Sequence, residues 1–384
     1  MAENGFIFIA DISGYTSYLH GSELEHAQGT LTDLLELLID RTTHPLTISR
    51  LEGDAVISYA LDVDQISGQT FLEMIEDTYI AFRRAIDLMV LNNSCQCSAC
   101  ANVSNLDLKF FLHHGEYSFQ HLGEFDELIG SDVNLIHRLT KNTVAEALDS
   151  RAYLLCTEAA VEALGMLEAS AFMTAHTEDV ADFGEVRVWV EDMHPKWEAR
   201  KADSVVAYEP SGVMWETQVE IPLPVHVVWE ALNDLELRGI LSHSDRTEVQ
   251  DRKDGRIGTE SAFVCYHGDK QSIQTILDWR PLERVLTTTV LDLPGPRSEI
   301  LGDNHLEATE RGTLLRVTVA LKASKAWQRA IMRATSSGPR RRAPEAMKRF
   351  AAATLERYGA DRPRIELSPT LIGEQAAASL RSTE

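Results

Sequence analysis

The chain has 384 residues, 44% of them hydrophobic, and a formal net charge of -23. That length exceeds what one hydrophobic core ordinarily organises, so two folded domains are expected. So acidic a chain excludes a general binder of nucleic acid or of anionic membranes, because phosphate groups demand clustered Lys and Arg.

The first element is FIFIADISGYT, Phe6 to Thr16, where an apolar run ends on Asp11 and breaks at Ser13 and Gly14. A buried strand delivers one carboxylate to its tip in this way. Leu31, Leu34, Leu35, Leu38 and Ile39 then recur at helical spacing within Ser22 to Arg41, giving an amphipathic helix over a sheet. In LTISRLEGDAVISYA, Asp54 sits in a Gly-Asp turn between the apolar arms Leu46 to Leu51 and Ala55 to Ala60. This is a hairpin tip with a second carboxylate. Phe71, Ile75, Tyr79, Phe82, Ile86 and Val90 line one face of a long helix from Gln69 to Leu91.

Cys95, Cys97 and Cys100 follow in SCQCSAC. Three close thiols can hold Zn²⁺ with one more Cys or His, for which His113, His114 and His121 are candidates; a reduced, metal-free loop is the alternative. Cys156 and Cys265 stand alone in apolar strands as small buried hydrophobes. Leu106 to His113 reads as a strand that turns at Gly115 into another, Glu116 to His121, and a helix begins near Ser131. A strand at Ala152 to Cys156, a helix at Glu158 to Leu164 and hairpin arms around Phe172 to Val180 and Val186 to Val190 close the block. The order suits an α+β sandwich with a ferredoxin-like βαββαβ centre.

From Glu191 to Pro210 the text turns polar and apolar periodicity fades. The expected units are therefore residues 1–192, a linker at 193–211, a second domain at 212–360 and a loose tail at 361–384. In the second block a strand ends at Ile221, and Val225, Val228, Trp229 and Leu232 line a helix. Short strands follow at Glu260 to Tyr266, Ser272 to Leu277, Val285 to Leu291, Asn304 to Thr309 and Thr313 to Leu321, before a helical region from Trp327 to Tyr358. The basic cluster Ser336 to Phe350 reads as a solvated break in that region, or as a contact for an anion. No apolar run is long enough to span a membrane and none is of signal type, so a cytoplasmic protein is expected.

The first block resembles the class III nucleotidyl cyclases. Their first metal acid lies in a DI-x-GFT strand end and their second in a GD hairpin, matched here by ADISGYT and LEGDAVI. LKFFLHHGE, Leu108 to Glu116, is similar to the strand that carries the family's His-x-Gly. FDELIGSDVNLIHRL is similar to its YDxxGxxVNxAxRL helix start. Motifs in family order are stronger together than singly. The resemblance implies an adenylate cyclase-type phosphorus-oxygen lyase that turns ATP into 3′,5′-cyclic AMP and pyrophosphate. By it, Asp11 and Asp54 hold two Mg²⁺ or Mn²⁺ ions per site, Asn134 orients the ribose and Arg138 stabilises charge on the α-phosphate. Arg50 and Glu127 fall on the base-reading positions; a cation and a carboxylate complement adenine N1 and N6, so ATP is preferred over GTP. A head-to-tail homodimer is implied, with the metal acids from one protomer and the base, Asn and Arg positions from the other. One departure stands out: the family's phosphate-binding Lys comes from a late hairpin, and Val180 to Gly184 here holds Asp182 and no Lys, with Arg187 the nearest substitute.

The second block, Met214 to Gly359, resembles the START-like SRPBCC helix-grip family through VEIPLPVHVVWEAL, GRIGTESAFVCYHG and ILDWRPLERV. That implies a curved sheet around a C-terminal helix and a cavity for a hydrophobic small molecule, which makes a sensor for the first domain. His243, Asp245, Cys265 and His267 are its polar candidates, each also explained by loop or strand packing. Two other readings remain open: a degenerate cyclase-like module that binds nucleotide or dimerises without turnover, and a protein whose main activity is ligand binding in the SRPBCC cavity.

Overall fold

The computed structural model describes residues 2–20, 23–43, 45–60, 67–92, 97–122, 125–165, 172–202, 208, 210–252, 255–291, 298–322 and 336–359. The elements of the first half are β1 (Glu3–Ser13), α1 (Tyr15–His20), α2 (Leu24–Thr42), β2 (Thr47–Glu52), β3 (Ala55–Ala60) and α3 (Gly68–Asn92). They continue with α4 (Ser98–Asn102), β4 (Asp107–Leu122), β5 (Phe125–Ile129), α5 (Ser131–Leu139), α6 (Val144–Leu148) and β6 (Tyr153–Thr157). α7 (Glu158–Ala163), β7 (Thr174–Val180), β8 (Gly184–Asp192) and α8 (His194–Ala202) complete the set.

The sheet order is β2-β3-β1-β4-β6-β8-β7, with β5 paired to β4 off this path. The run β2-β3-β1-β4 is antiparallel throughout, the order of a βαββαβ unit. β1 reads as a continuous apolar run because both its faces are covered. Phe6, Phe8, Ala10 and Ile12 pack on one side with Leu34 and Leu38 of α2 and Phe71, Ile75, Tyr79 and Phe82 of α3. Ile7 and Ile9 face the other way, into a core with Val133, Leu135, Ile136 and Leu139 of α5.

Three details differ from the sequence expectation. β4 runs unbroken through Gly115. A Cβ there would lie 2.3 Å from a carboxylate oxygen of Asp132, so glycine admits the first turn of α5 and makes no turn of its own. The segment 193–211 contains α8, whose Trp197 is buried in the first core. The basic cluster lies within one continuous helix, since Pro344 stands on its exposed side and forfeits a single backbone hydrogen bond. Cys95, Trp327 and the tail 361–384 lie outside the described residues.

The second sheet is a meander. Its elements are β9 (Val213–Ile221), α9 (Val225–Asn233), α10 (Leu235–Ser242), β10 (Arg246–Gln250), β11 (Ala262–His267) and β12 (Lys270–Arg280). β13 (Arg284–Leu291), β14 (Ser298–Thr309), β15 (Gly312–Leu321) and α11 (Ser337–Tyr358) follow. The strand order is β10-β11-β12-β13-β14-β15-β9, antiparallel at every step. Val228, Trp229 and Leu232 of α9 and Met347 and Phe350 of α11 share one core with Phe263, Ile276 and Leu315 of the sheet.

The two halves meet along α3. Glu73 is 1% exposed and accepts hydrogen bonds from the Trp229 and Trp279 indoles at 2.8 and 2.9 Å and from Gln69 at 2.9 Å. One turn on, Glu76 takes Arg256 of the second half and Lys196 of α8, each at 2.8 Å. Against the effect of burial, these two cations hold its carboxyl down at about 2. Lys196 also reaches Glu191 at 2.7 Å, whose carboxyl burial and the neighbouring Glu76 push up to about 7. Glu230 of α9 accepts from the Ser67 N–H at 3.1 Å and the Thr70 hydroxyl at 2.5 Å, capping the start of α3. Replacing Glu73 with Leu would leave the buried Trp229 indole and the half-buried Trp279 indole without an acceptor and remove a partner of Arg256. A loss of about 3–5 kcal/mol is expected, read as a lower urea midpoint; a loss below about 1 kcal/mol would mean that water screens the junction.

Candidate active site

Asp11 follows Ile7 and Ile9 in the alternation of β1, so it points to the α5 face. The β2–β3 turn brings Asp54 beside it. Gly53 there adopts φ +65°, which a side chain resists, and the Ile12 N–H donates to the Asp54 carbonyl at 3.2 Å. The hairpin tip is thereby stitched to the end of β1. Burial, and then the charge of Asp54, push the Asp11 carboxyl up to about 6, while Lys109 opposes the rise. Burial likewise raises Asp54. Two half-buried carboxylates that repel each other form a donor set that a divalent cation would relieve.

Lys109 lies directly across from Asp11 in the β1–β4 register, with its ammonium 5.3 Å from the centre of the Tyr153 ring. Burial first, and Asp11 among the neighbouring charges, push the Tyr153 phenol up to about 12. Nothing in the sequence singles out Lys109, because its place opposite Asp11 depends on a strand pairing about a hundred residues distant.

Arg50 and Glu127 come together from different strands, 3.7 Å apart. The sequence does not single out two further members of this cluster. His137 lies 3.4 Å from Arg50 and 3.5 Å from Glu52. Since Arg50 donates to Nε2, the network assigns the His137 proton to Nδ1, facing Glu52. Burial pushes the His137 pKa down, which suits that neutral form.

Asn134 and Arg138 are both exposed on α5. Asp132 holds the start of this helix by accepting from the Glu116 N–H at 2.6 Å. Arg138 leans to the β7–β8 hairpin, donating to the Ala181 carbonyl at 2.8 Å and pairing with Asp182 at 2.7 Å. Among the described residues no hydrogen bond or ion pair joins Asp11 or Asp54 to Asn134 or Arg138. Arg187 is engaged by Glu158 at 3.1 Å.

Of the proposed zinc residues, Cys97 caps α4 through its thiol and the Cys100 N–H, at 3.4 Å. Among the described residues no group of three or more His, Cys, Asp and Glu is placed to hold a metal ion. In the second half, His243, Asp245 and His267 build a turn: His267 Nδ1 lies 3.0 Å from the His243 carbonyl, and Asp245 accepts from the Gly268 N–H at 2.7 Å. Cys265 is fully buried. Two clefts lie where the halves meet, one of about 460 Å³ beside Gln69, Trp229 and Arg256, the other of about 1110 Å³ beside Asp77, Arg200 and Pro224.

A metal ion binds the ionised acid pair, so protons compete with it as pH falls through the Asp11 value. Calorimetric Mn²⁺ affinity should therefore drop about tenfold per pH unit below 6, and Asp11→Asn should abolish that slope. In the metal-free protein the raised Asp11 value has the opposite consequence. Stability falls as pH rises from the ordinary value of 3.8 to about 6, and Asp11→Asn removes this loss.

The family described as "Protein of unknown function (DUF2652)" matches residues 31–148. The "Uncharacterized protein Rv2561/Rv2562" of Mycobacterium tuberculosis is 30% identical over 137 residues, which are 35% of this chain and 60% of that protein. The chain thus spans about three-fifths of that relative's length. Among solved structures, the adenylyl cyclase CyaB from P. aeruginosa is 16% identical with a TM-score of 0.34, covering 50% of this chain and 95% of its own. The guanylate cyclase domain of RhGC from Catenaria anguillulae, solved in complex with GTP, is 15% identical with a TM-score of 0.34, covering 50% and 98%. Structural neighbours over about half of the chain are thus adenylyl and guanylyl cyclase domains, at low identity.

Proposed function

We propose that the first half is a class III nucleotidyl cyclase-type enzyme that converts ATP into 3′,5′-cyclic AMP and pyrophosphate as a head-to-tail homodimer. The second half is a small-molecule-binding domain of SRPBCC type that regulates it. The observation that carries this reading is the mutually repelling pair of Asp11 and Asp54 at one strand tip. Arg50 and Glu127, assembled on the same half of the molecule, support it.

The acid pair fits Mg²⁺ or Mn²⁺, which favours one or two carboxylates plus substrate phosphates. Asp11 and Asp54 would hold it, and the bound metal supplies Lewis acidity toward the ribose 3′ hydroxyl and the triphosphate. Arg50 donates toward adenine N1 and Glu127 accepts from N6, with His137 and Glu52 holding the guanidinium in place. Asn134 orients the ribose, and Arg138 offers a guanidinium to the charge that grows on the α-phosphate. Both are exposed on α5 and neither is joined to Asp11 or Asp54 of its own chain, which suits a site completed by the acids of a second copy. The α3 junction is the contact through which occupancy of the second domain would reach the first.

One observation favours the alternative of a nucleotide-binding or dimerising module without turnover. Asp182 already occupies Arg138 and places a negative charge where a triphosphate would lie. The pair is exposed, so separating it costs about 0–1 kcal/mol, and slow turnover is the expected result.

Cyclic nucleotide formation from ATP and GTP with Mn²⁺ tests the proposal. The parent should favour ATP, and Asp54→Ala and Arg138→Ala should each lose about 10²-fold or more. Equal mixing of the two variants should restore about a quarter of parent activity, since half of the dimers then carry one intact site. No product from a dimeric, metal-loaded parent would favour the module without turnover. Asp182→Lys should raise kcat/KM for ATP about tenfold; an unchanged value would show that the hairpin does not approach the triphosphate.

A further inference from the structure

Four of the described cysteines stand as thiols. Cys156 and Cys265 are closed to solvent, at 1% and 0% exposure. Cys97 and Cys100 are only half-buried and share one helical turn. Cys97 is the cap residue of α4: its sulfur accepts the Cys100 N–H at 3.4 Å, and its carbonyl accepts the Ala101 N–H at 3.1 Å. The Cys97 sulfur therefore already sits over the backbone of Cys100. Cα atoms three residues apart in a helical turn are about 5 Å from each other, inside the range of roughly 4.4–6.8 Å that a disulfide spans. Rotation of the side chains is enough to join the two sulfurs.

Capping does not account for the pair. Ser, Thr, Asp and Asn cap helices well, and α7 uses one of them: the Thr157 hydroxyl accepts the Ala160 N–H at 3.3 Å. A thiol in that place is a weaker acceptor. Core packing does not account for Cys100 either, since it is partly exposed where Cys156 and Cys265 are closed off. A third group bears on the two thiols. Tyr18 of α1 is 3% exposed, and its hydroxyl has no hydrogen-bond partner among the described residues; Thr30 lies near it without bonding geometry. Burial raises the Tyr18 phenol, and the charges of Cys100 and Cys97 raise it further. A buried O–H beside sulfur is a donor for the thiolate, the form that attacks and leaves in disulfide exchange.

We propose that Cys97 and Cys100 form a reversible thiol–disulfide couple, oxidised by a low-molecular-weight disulfide, with the Tyr18 hydroxyl as donor to the charged sulfur. One cysteine thiolate attacks the small disulfide, forms a mixed disulfide and expels a thiolate. The other cysteine gives its proton to solvent, attacks the protein sulfur of that bond and expels the second thiolate. Two cysteine thiols become one disulfide while one small disulfide becomes two thiols, so electrons and protons balance. The couple adjoins the candidate active site: past the end of α4, the Asn105 carbonyl comes 3.0 Å from where a Cβ on Gly14 would stand, in the turn just beyond Asp11. The assignment does not depend on the reading of the first half as a cyclase.

The test uses the full chain. Its zinc content is measured as isolated, and it is then treated with a chelator and equilibrated in glutathione buffers of graded oxidised-to-reduced ratio. Thiols are quenched in acid, alkylated in denaturant and counted by mass spectrometry in the parent, Cys95→Ser, Cys97→Ser, Cys100→Ser and Tyr18→Phe. The parent should fall from five alkylated thiols to three, dithiothreitol should restore all five, and Cys95→Ser should still lose two. Cys97→Ser and Cys100→Ser should stall as mixed disulfides with glutathione. Tyr18→Phe should slow closure of the bridge about tenfold, the loss expected for one hydrogen bond to a charged sulfur; an unchanged rate overturns the part given to Tyr18. A bridge that needs Cys95, or five thiols that persist in every buffer, overturns the proposal. One zinc ion per chain that keeps the thiols reduced and is lost in Cys95→Ser overturns it in favour of a metal site.

Discussion

The carboxylate of Glu73 is where the two halves of the molecule become one. Beside Gln69 of its own helix, its hydrogen-bond donors are the indoles of Trp229 and Trp279, packed against each other with ring centres 4.9 Å apart in the second half. Without the first half the buried Trp229 indole would lack an acceptor; without the second, Glu73 would be an acid beside an apolar core. Neither group tolerates isolation from both water and its partner. The same helix sends Phe71, Ile75 and Tyr79 to the opposite side, into the core against β1. The Tyr79 hydroxyl donates to Asp107 at 3.1 Å, and Asp107 pairs in register with Ser13, two residues beyond Asp11. Contacts are therefore continuous from the tryptophan pair to the strand that carries the first acid.

The acid pair sits in an unfavourable setting that the fold sustains. Strand alternation, the Gly53 turn and the Ile12 to Asp54 hydrogen bond all bring two like charges together. Lys109 opposes the rise in the Asp11 value and leaves a net deficit of positive charge. Around α5 the opposite holds: Arg138, Asp182, His137, Arg50, Glu52 and Glu127 are all matched at the surface. The first group asks for a cation, while the second presents polar groups outward from one helix and two strand edges. That division is what a site shared between two copies of the chain would require.

Much of this was legible in the sequence where it depends on local periodicity. The apolar run ending on Asp11, the Gly-Asp turn at Asp54 and the four-residue spacing of Asn134 and Arg138 each follow from neighbours in the chain. The turn read at Gly115 was not a turn, because glycine also serves close approach, and the carboxylate that demands it is Asp132. Lys109 and His137 carried no signal because what they face is fixed by pairing between distant strands. The acids of α3 were the least legible, since on a helical wheel Glu73, Glu76 and Asp77 read as a solvated face.

The sequence by itself determined the main strands and helices and where acids end strands, because these follow from side-chain spacing of two or 3.6 residues. Only the tertiary structure decided which charges have partners. It buried the acidic face of α3 against the half that carries the second sheet, set Asp182 on Arg138 and left Arg238 without a carboxylate among the described residues. Charge pairing is a property of distances in space, and those distances are set by how the two sheets pack.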